Sequence, residues 1–356
     1  MFGSTLSSAR VVGRRLVAWL LASGGYGLLG WLVALAGVVA LLAVPDVPRP
    51  LVPLGVLPGI IYYLVASRRE RRRAVLLRAD FPSAARDVLK RRVAFYRQLD
   101  AEERQRFEKE VQVFLGEQRV YALNAAVAAE MTDEHRVLIA AGAATLLLGR
   151  PEWRLPTTRD IVVYPAAFSE GTYEMSSPVS HTLGMVHAQG PILFSLPALL
   201  AAYPESAGDV SESAAHADPP EHNVAVHEFA HVLDFMGNEG RAGGLPGTLS
   251  LPTQARWAQQ LHEERERLLA GASILDPYGL KTDPQGRGND AELFAVAVEA
   301  FFQSPLRLRT LHPKLYDLLH DFFNQDPAER VVPRALWTLP WSTLWFGPKP
   351  STRAQA

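Results

Sequence analysis

The stretch Asn223–Asn238, NVAVHEFAHVLDFMGN, decides how the rest of the chain is read. It is an apolar run at helical spacing with two histidines and a glutamate set into its middle. His227 and His231 stand four residues apart, which on a helix puts both imidazoles on one face with Cβ atoms about 5–6 Å from each other. Two imidazoles so placed can converge on a single ion. Glu228, one step from the first, then lies beside that ion, where a carboxylate takes a proton from water; this is the H-E-x-x-H form. At this chain's own residue frequencies the pattern arises by chance in roughly one or two of a hundred such sequences. The bland alternative is a half-buried helix whose histidines are hydrogen-bonded core residues. Against it, the only other polar residue between Val224 and Phe235 is Asp234, and burying charges there without a task is costly.

A catalytic zinc needs a third protein ligand and one open position. The extended form of the motif does not supply it, because Asp234 stands where its glycine would be and Gly237 where its third histidine would be. The best source is NDAELFAVAVEAFF, Asn289–Phe302. Glu292 and Glu299 lie seven residues apart there, two turns along one face of an otherwise apolar helix, and spacing alone does not choose between them. Asp290 and Glu292 also read as the acidic first turn of that helix. Asp234, one turn beyond His231, is either an orienting partner for an imidazole or a helix-surface aspartate.

Composition narrows the classes. With a net charge of −1 over 356 residues, no field argues for nucleic acid as a partner. There is no cysteine, so any metal is held by nitrogen and oxygen, and no disulfide framework exists. Leu16–Val44 runs 29 residues without a charge, and about 20 suffice to span a bilayer as a helix. Leu51–Ala66 is shorter, 16 residues with interior prolines Pro53 and Pro58, and reads as a marginal span or re-entrant segment. Arg10, Arg14 and Arg15 precede the first run and RRERRR, Arg68–Arg73, follows the second. The positive-inside rule then makes residues 1–73 a membrane hairpin and faces the remainder to the cytoplasm at the inner membrane. A secretory signal around GRRLVAWLLASGG, Gly13–Gly25, is the competing reading; the apolar run exceeds the roughly 7–15 residues of a signal core, and a second run follows.

Beyond the hairpin, Ala74 to about Gly149 reads as helical. Asp100 is an N-cap ahead of Phe107, Val111 and Phe114, and Asp133–Gly149 is a more buried helix that Gly149 stops. Asp160–Pro165 and Gly190–Leu196 read as strands, the second either an edge along which an extended peptide docks or a packed core strand. Pro204–Asn223 and Gly237–Pro252 are long loops, and helices return at Pro252–Ala272 and Asn289–Pro305. The expected fold is α+β, mostly helical with a small mixed sheet over residues 74–345, preceded by transmembrane helices and followed by a disordered tail, 346–356.

The set HNVAVHEFAHVLD, DPY and DAELFAVAVEAFFQSP followed by NQDP, together with RDIVVYPAAF and QGPILFSLPAL, resembles the Mlc titration factor A family of glucose-regulated metallopeptidases. The likeness runs from about Asp80 to Arg334, roughly seven-tenths of the chain. It implies a zincin-like domain in which His227, His231 and Glu292 hold one zinc, in the manner of a gluzincin, and Glu228 is the general base. It implies Glu292 rather than Glu299 as the third ligand. It also implies that Tyr278, in DPYG, stabilises the oxyanion; a turn tyrosine packed on a loop is the other reading. The membrane hairpin is not part of the soluble family pattern, and the segment Gly279–Ala291 is longer than the usual connection. The expected function is a membrane-anchored zinc peptidase acting on a peptide or protein substrate. The alternative is a regulatory binding module on a peptidase-like scaffold that sequesters a transcription factor, which leaves Glu228 without a task.

Overall fold

A computed structural model describes residues 25–44, 48–156, 160–165, 184–186, 190–205, 222–237, 251–280 and 290–331. The chain divides into two compact units, Met1–Ala79 and Asp80–Ala356.

In the first unit, α1 (Gly25–Ala43) packs antiparallel to a 3-10 segment (Arg49–Val56) that runs on into α2 (Leu57–Ala66). Small residues set the spacing: a Cβ added to Gly37 would fall 2.1 Å from the Gly55 carbonyl oxygen, and one on Gly59 2.3 Å from that of Gly30. The two backbones therefore touch, as small-residue helix pairs do in apolar surroundings. The outer faces are apolar and exposed, with Leu32, Leu35, Leu42, Ile61 and Val65 among them. Arg49–Ala66, 18 residues, is the helix long and apolar enough to cross a membrane among the described residues, with Leu29–Ala43 a shorter apolar helix beside it. Pro50 and Pro58 sit in first turns, where a missing N–H costs little, and Pro53 lies inside the 3-10 segment, which continues through it into α2. Residues 1–24, including the start of the first expected span, lie outside the described residues. α3 (Arg68–Leu76) follows Ser67 and buries none of its residues.

The second unit opens with α4 (Ser83–Arg92), α5 (Ala94–Gln98) and α6 (Ala101–Glu117). Asp100 caps α6 as its sequence predicts: its carboxylate accepts the Glu103 N–H at 2.9 Å while Glu103 accepts the Asp100 N–H at 3.2 Å. A short strand, β1 (Val120–Ala122), then interrupts the region expected to be wholly helical, before α7 (Ala125–Glu130) and α8 (Asp133–Leu147). Next come β2 (Ile161–Tyr164), β3 (Gly184–Val186), β4 (Ile192–Ser195) and α9 (Leu196–Ala202). The sheet order is β1-β2-β4-β3; β1, β2 and β4 are parallel and β3 is antiparallel to β4. So β4 is not an edge strand. It is interior, all four of its residues are buried, and β3 is the edge on that side.

The chain continues through α10 (Val224–Gly237), α11 (Leu251–Leu269), a 3-10 turn (Pro277–Leu280), α12 (Asp290–Gln303), α13 (Pro305–Leu311), α14 (Pro313–Phe323) and α15 (Pro327–Val331). The loops expected at 204–223 and 237–252 and the tail beyond 345 fall largely or wholly outside the described residues. The unit is mostly helical, and its core centres on α8, where every residue from Val137 to Leu147 is buried. A helix apolar all round has to be enclosed on all sides. α10 comes close enough to α8 that a Cβ on Gly142 would fall 2.5 Å from the Ala225 Cβ. Gly149 follows the end of α8, and it is glycine because a Cβ there would lie 2.2 Å from the Phe323 carbonyl oxygen. α12 packs on α10 from another side, backed by Trp257 and Phe322, each edge-on to Phe294.

Candidate metal centre

α10 carries the histidines because its three sides have three different tasks. Ala225 meets α8, while Phe229 lies edge-on to Phe114 at 5.6 Å and 6.0 Å from Phe194 of β4. The remaining side turns His227 and His231 toward α12. Asn223 starts the helix, its Oδ1 accepting the Val226 N–H at 3.1 Å. The two imidazole rings stand 5.0 Å apart and nearly perpendicular, and Phe235 stacks on His231 one turn further on.

α12 brings up both carboxylates that the sequence leaves open, and they take opposite sides of one ring. Glu292 Oε2 lies 3.4 Å from His227 Nε2 and 3.5 Å from His231 Nε2. Glu299 Oε2 lies 3.3 Å from His227 Nδ1. Glu299 Oε1 accepts the Asn223 backbone N–H and faces His222 Nδ1 at 3.6 Å. Donor atoms of His227, His231 and Glu292 all fall within 4.8 Å of one another. A tetrahedral ion with bonds of ~2.1 Å sets neighbouring ligands ~3.4 Å apart, so the two Nε2···Oε2 separations match what such an ion requires.

The electrostatics point the same way. For His227, burial opposes the charged ring, but Glu292 and Glu299 outweigh it and hold the imidazole well above its ordinary range. Burial also opposes ionisation of Glu292 and Glu299; contacts with His227 and His231 hold the first well below the usual carboxylate range, and His222, His227 and the Asn223 N–H bring the second to about 2. Glu228 differs. Burial, together with the charges of Glu292 and Glu299, outweighs both histidines and pushes its carboxyl up to about 7. Its Oε2 is buried and accepts no hydrogen bond among the described residues. Three buried carboxylates around two imidazoles form a site short of positive charge, and a divalent cation is the group that balances it.

Of the other residues singled out from sequence, Asp234 is wholly buried, not a surface aspartate. Tyr278 falls on the turn Pro277–Leu280, and its side chain lies outside the described residues. That turn packs tightly on α12: a Cβ on Gly279 would meet Val296 Cγ2 at 2.8 Å. The part of Glu299 behind His227 was missed, as was the backing of Glu299 by His222 and Asn223. Its signal was the seven-residue spacing from Glu292, which places both acids on one face.

Comparison with known proteins agrees with this geometry. The family model described as glucose-regulated metallo-peptidase M90 matches residues 66–324. An uncharacterized protein of Synechocystis is 31% identical over 284 residues, 77% of this chain and 96% of that protein. Mlc titration factor A of Salmonella arizonae is 28% identical over 239 residues, 65% of this chain and 88% of its own length. That of Salmonella gallinarum is 28% identical over 186 residues, 51% and 64% respectively. With more than half its length matched and a relative above 30% identity covered almost end to end, the chain belongs to the glucose-regulated metallo-peptidase family M90.

Proposed function

We propose that the protein is a membrane-anchored zinc peptidase with its catalytic unit in the cytoplasm. His227, His231 and Glu292 are the ligands of one zinc ion, and Glu299 fixes the His227 ring by accepting its Nδ1–H. Zinc held by this set supplies Lewis-acid polarisation to a water molecule and to the scissile carbonyl. Glu228 takes the proton of that water at Oε2 and gives it up to the leaving amine; its displacement toward neutral pH suits both transfers. The family resemblance makes Tyr278, on the turn Pro277–Leu280, the residue that would stabilise the developing oxyanion. The anchor is the small-residue hairpin with its apolar exterior, and the arginines of α3 hold its exit at the cytoplasmic face.

The observation that carries this reading is the convergence of His227, His231 and Glu292, with Glu228 buried beside them. The purified full chain is expected to hold one zinc by elemental analysis and to cleave a mixed peptide library. Glu228→Gln is expected to keep the zinc and lose cleavage by several orders of magnitude; turnover at the wild-type rate in that variant ends the assignment. A cytoplasmic reporter fused after Ala356 is expected to be active, and activity of a periplasmic reporter there would refute the topology.

One observation favours a second reading. The name of the Salmonella relatives speaks of titrating a factor called Mlc, so this chain would on that reading capture a transcription regulator on the same scaffold. Capture that persists in Glu228→Gln, with no cleavage by the wild type, is the outcome that selects it.

A further inference from the structure

His222 stands immediately before the cap of α10, exposed at its outer face, between two carboxylates from different segments. Its Nδ1 lies 3.6 Å from Glu299 Oε1, and its Nε2 lies 3.4 Å from Asp276 Oδ2. Glu299 is the residue behind His227. Asp276 is the foot of the Tyr278 turn, with its carbonyl accepting the Gly279 N–H at 3.0 Å. The segment that leads into the turn is held by His312, whose Nε2 accepts the Ile274 N–H at 3.3 Å while its Nδ1 meets Glu264 at 2.6 Å, both of that pair being buried. The sequence brings four charged or imidazole groups into one line, Asp276, His222, Glu299 and His227, which leads from the turn to the ion-binding face.

From this juxtaposition of His222 with Asp276 and Glu299 we propose that His222 is a positioning residue, a clasp that presses Glu299 against His227 and ties the Tyr278 turn to the ligand helices. The inference rests on the metal-site reading above. Glu299 needs such a clasp because its buried carboxylate has two oxygens to satisfy, one turned to His227 and one to the helix start. Without the imidazole, Oε1 keeps the Asn223 N–H alone and the carboxylate is free to swing off His227 Nδ1. A ligand imidazole that loses its outer partner binds metal more weakly, by about 10–100-fold where such partners have been removed elsewhere. Being exposed, His222 contributes little to the core, so its removal is expected to act on the ion and not on folding.

The test is the rate at which zinc-loaded full chain surrenders its metal to a chromogenic chelator, read beside the melting temperature of the zinc-free protein. His222→Ala is expected to release zinc about 10-fold faster with the zinc-free melting temperature unchanged. His222→Gln, whose amide still reaches Glu299, is expected to recover most of the retention, and Asp276→Asn to fall between wild type and His222→Ala. In a Glu299→Gln background, His222→Ala is expected to add nothing, because the route to the ion is already cut. Unchanged release in His222→Ala overturns the clasp, as does an equal acceleration with or without Glu299. Wild-type protein that takes up no zinc overturns the metal-site reading itself, and the clasp with it.

Discussion

Replacing Glu228 with glutamine is expected to make the zinc-free protein more stable while destroying its activity. The wild-type carboxyl is raised by burial from 4.5 to about 7. A group whose folded pKa is raised adds stability that is fully present below the unfolded value and is lost as pH rises through the folded value. Zinc-free wild type therefore loses stability between about pH 4.5 and about pH 7, where the carboxyl ionises in the unfolded chain while the buried one still holds its proton. At about 1.4 kcal/mol per pH unit, that interval corresponds to about 3 kcal/mol. Glutamine has the same shape and never ionises, so it does not incur this loss. Glu228 also contributes to holding His227 protonated, and its removal returns part of the gain, which makes about 3 kcal/mol the upper end. In a unit of this size the difference appears as a melting temperature higher by about 6–12 °C near pH 8, shrinking to nothing near pH 4. Differential scanning calorimetry of both proteins, stripped of metal, across that range reads it directly. With zinc bound the gain is expected to vanish, since a dication beside Glu228 favours its carboxylate. Stability curves for variant and wild type that stay parallel over the whole pH range would refute the claim that Glu228 is held against its own ionisation.

Three further outcomes follow from the same geometry. Glu292→Ala is expected to leave no stoichiometric zinc in equilibrium dialysis, while Glu299→Gln retains it with affinity weaker by about 10–100-fold; equal loss in both variants would put both carboxylates on the ion. Zinc uptake is expected to release protons and to weaken as pH falls, because His227, held above its ordinary range by its two carboxylates, must give up its proton to bind; calorimetry in two buffers of different ionisation enthalpy counts those protons. Gly142→Val is expected to cost about 1–3 kcal/mol by chemical denaturation, as the side chain it introduces is driven into Ala225 and forces α10 away from α8.

How much of this the sequence reveals depends on how local the determining contact is. The pair His227 and His231 was legible because helix geometry alone puts residues four apart on one face. The cap at Asp100 was legible for the same reason, since its partner Glu103 is three residues away. The choice between Glu292 and Glu299 was not, because both face the same imidazole and differ only in which nitrogen they reach. That depends on how far α12 has slid along α10, and no periodicity records it. Strand β1 escaped notice because three residues carry too little pattern to stand out among helices, and its order comes from pairing with β2, about forty residues on. Whether β4 is an edge or an interior strand stayed open, since its edge neighbour β3 comes from a stretch with little strand signal of its own. Glycines at 30, 37, 55 and 59 were visible, but their purpose shows only when the two helices are laid together and the backbones touch.

The positions of the ligands are a consequence of core packing. α10 is fixed from three directions, by α8 at Gly142 and Ala225, by Phe114 and Phe194 around Phe229, and by α12, so neither histidine can shift without moving the core. α12 is fixed in turn by Trp257 and Phe322 on Phe294. The three donor atoms are thereby set close together before any ion arrives, which spares binding the cost of ordering them. The cost falls on the empty protein instead. It holds Glu228, Glu292 and Glu299 in a buried space with His227 as their chief counter-charge, a set that packing maintains and only a cation relieves. A core built to keep like-charged groups in that arrangement, at a loss of stability concentrated on Glu228, is what a metal-dependent hydrolase requires and what a scaffold used for capture alone has no reason to keep.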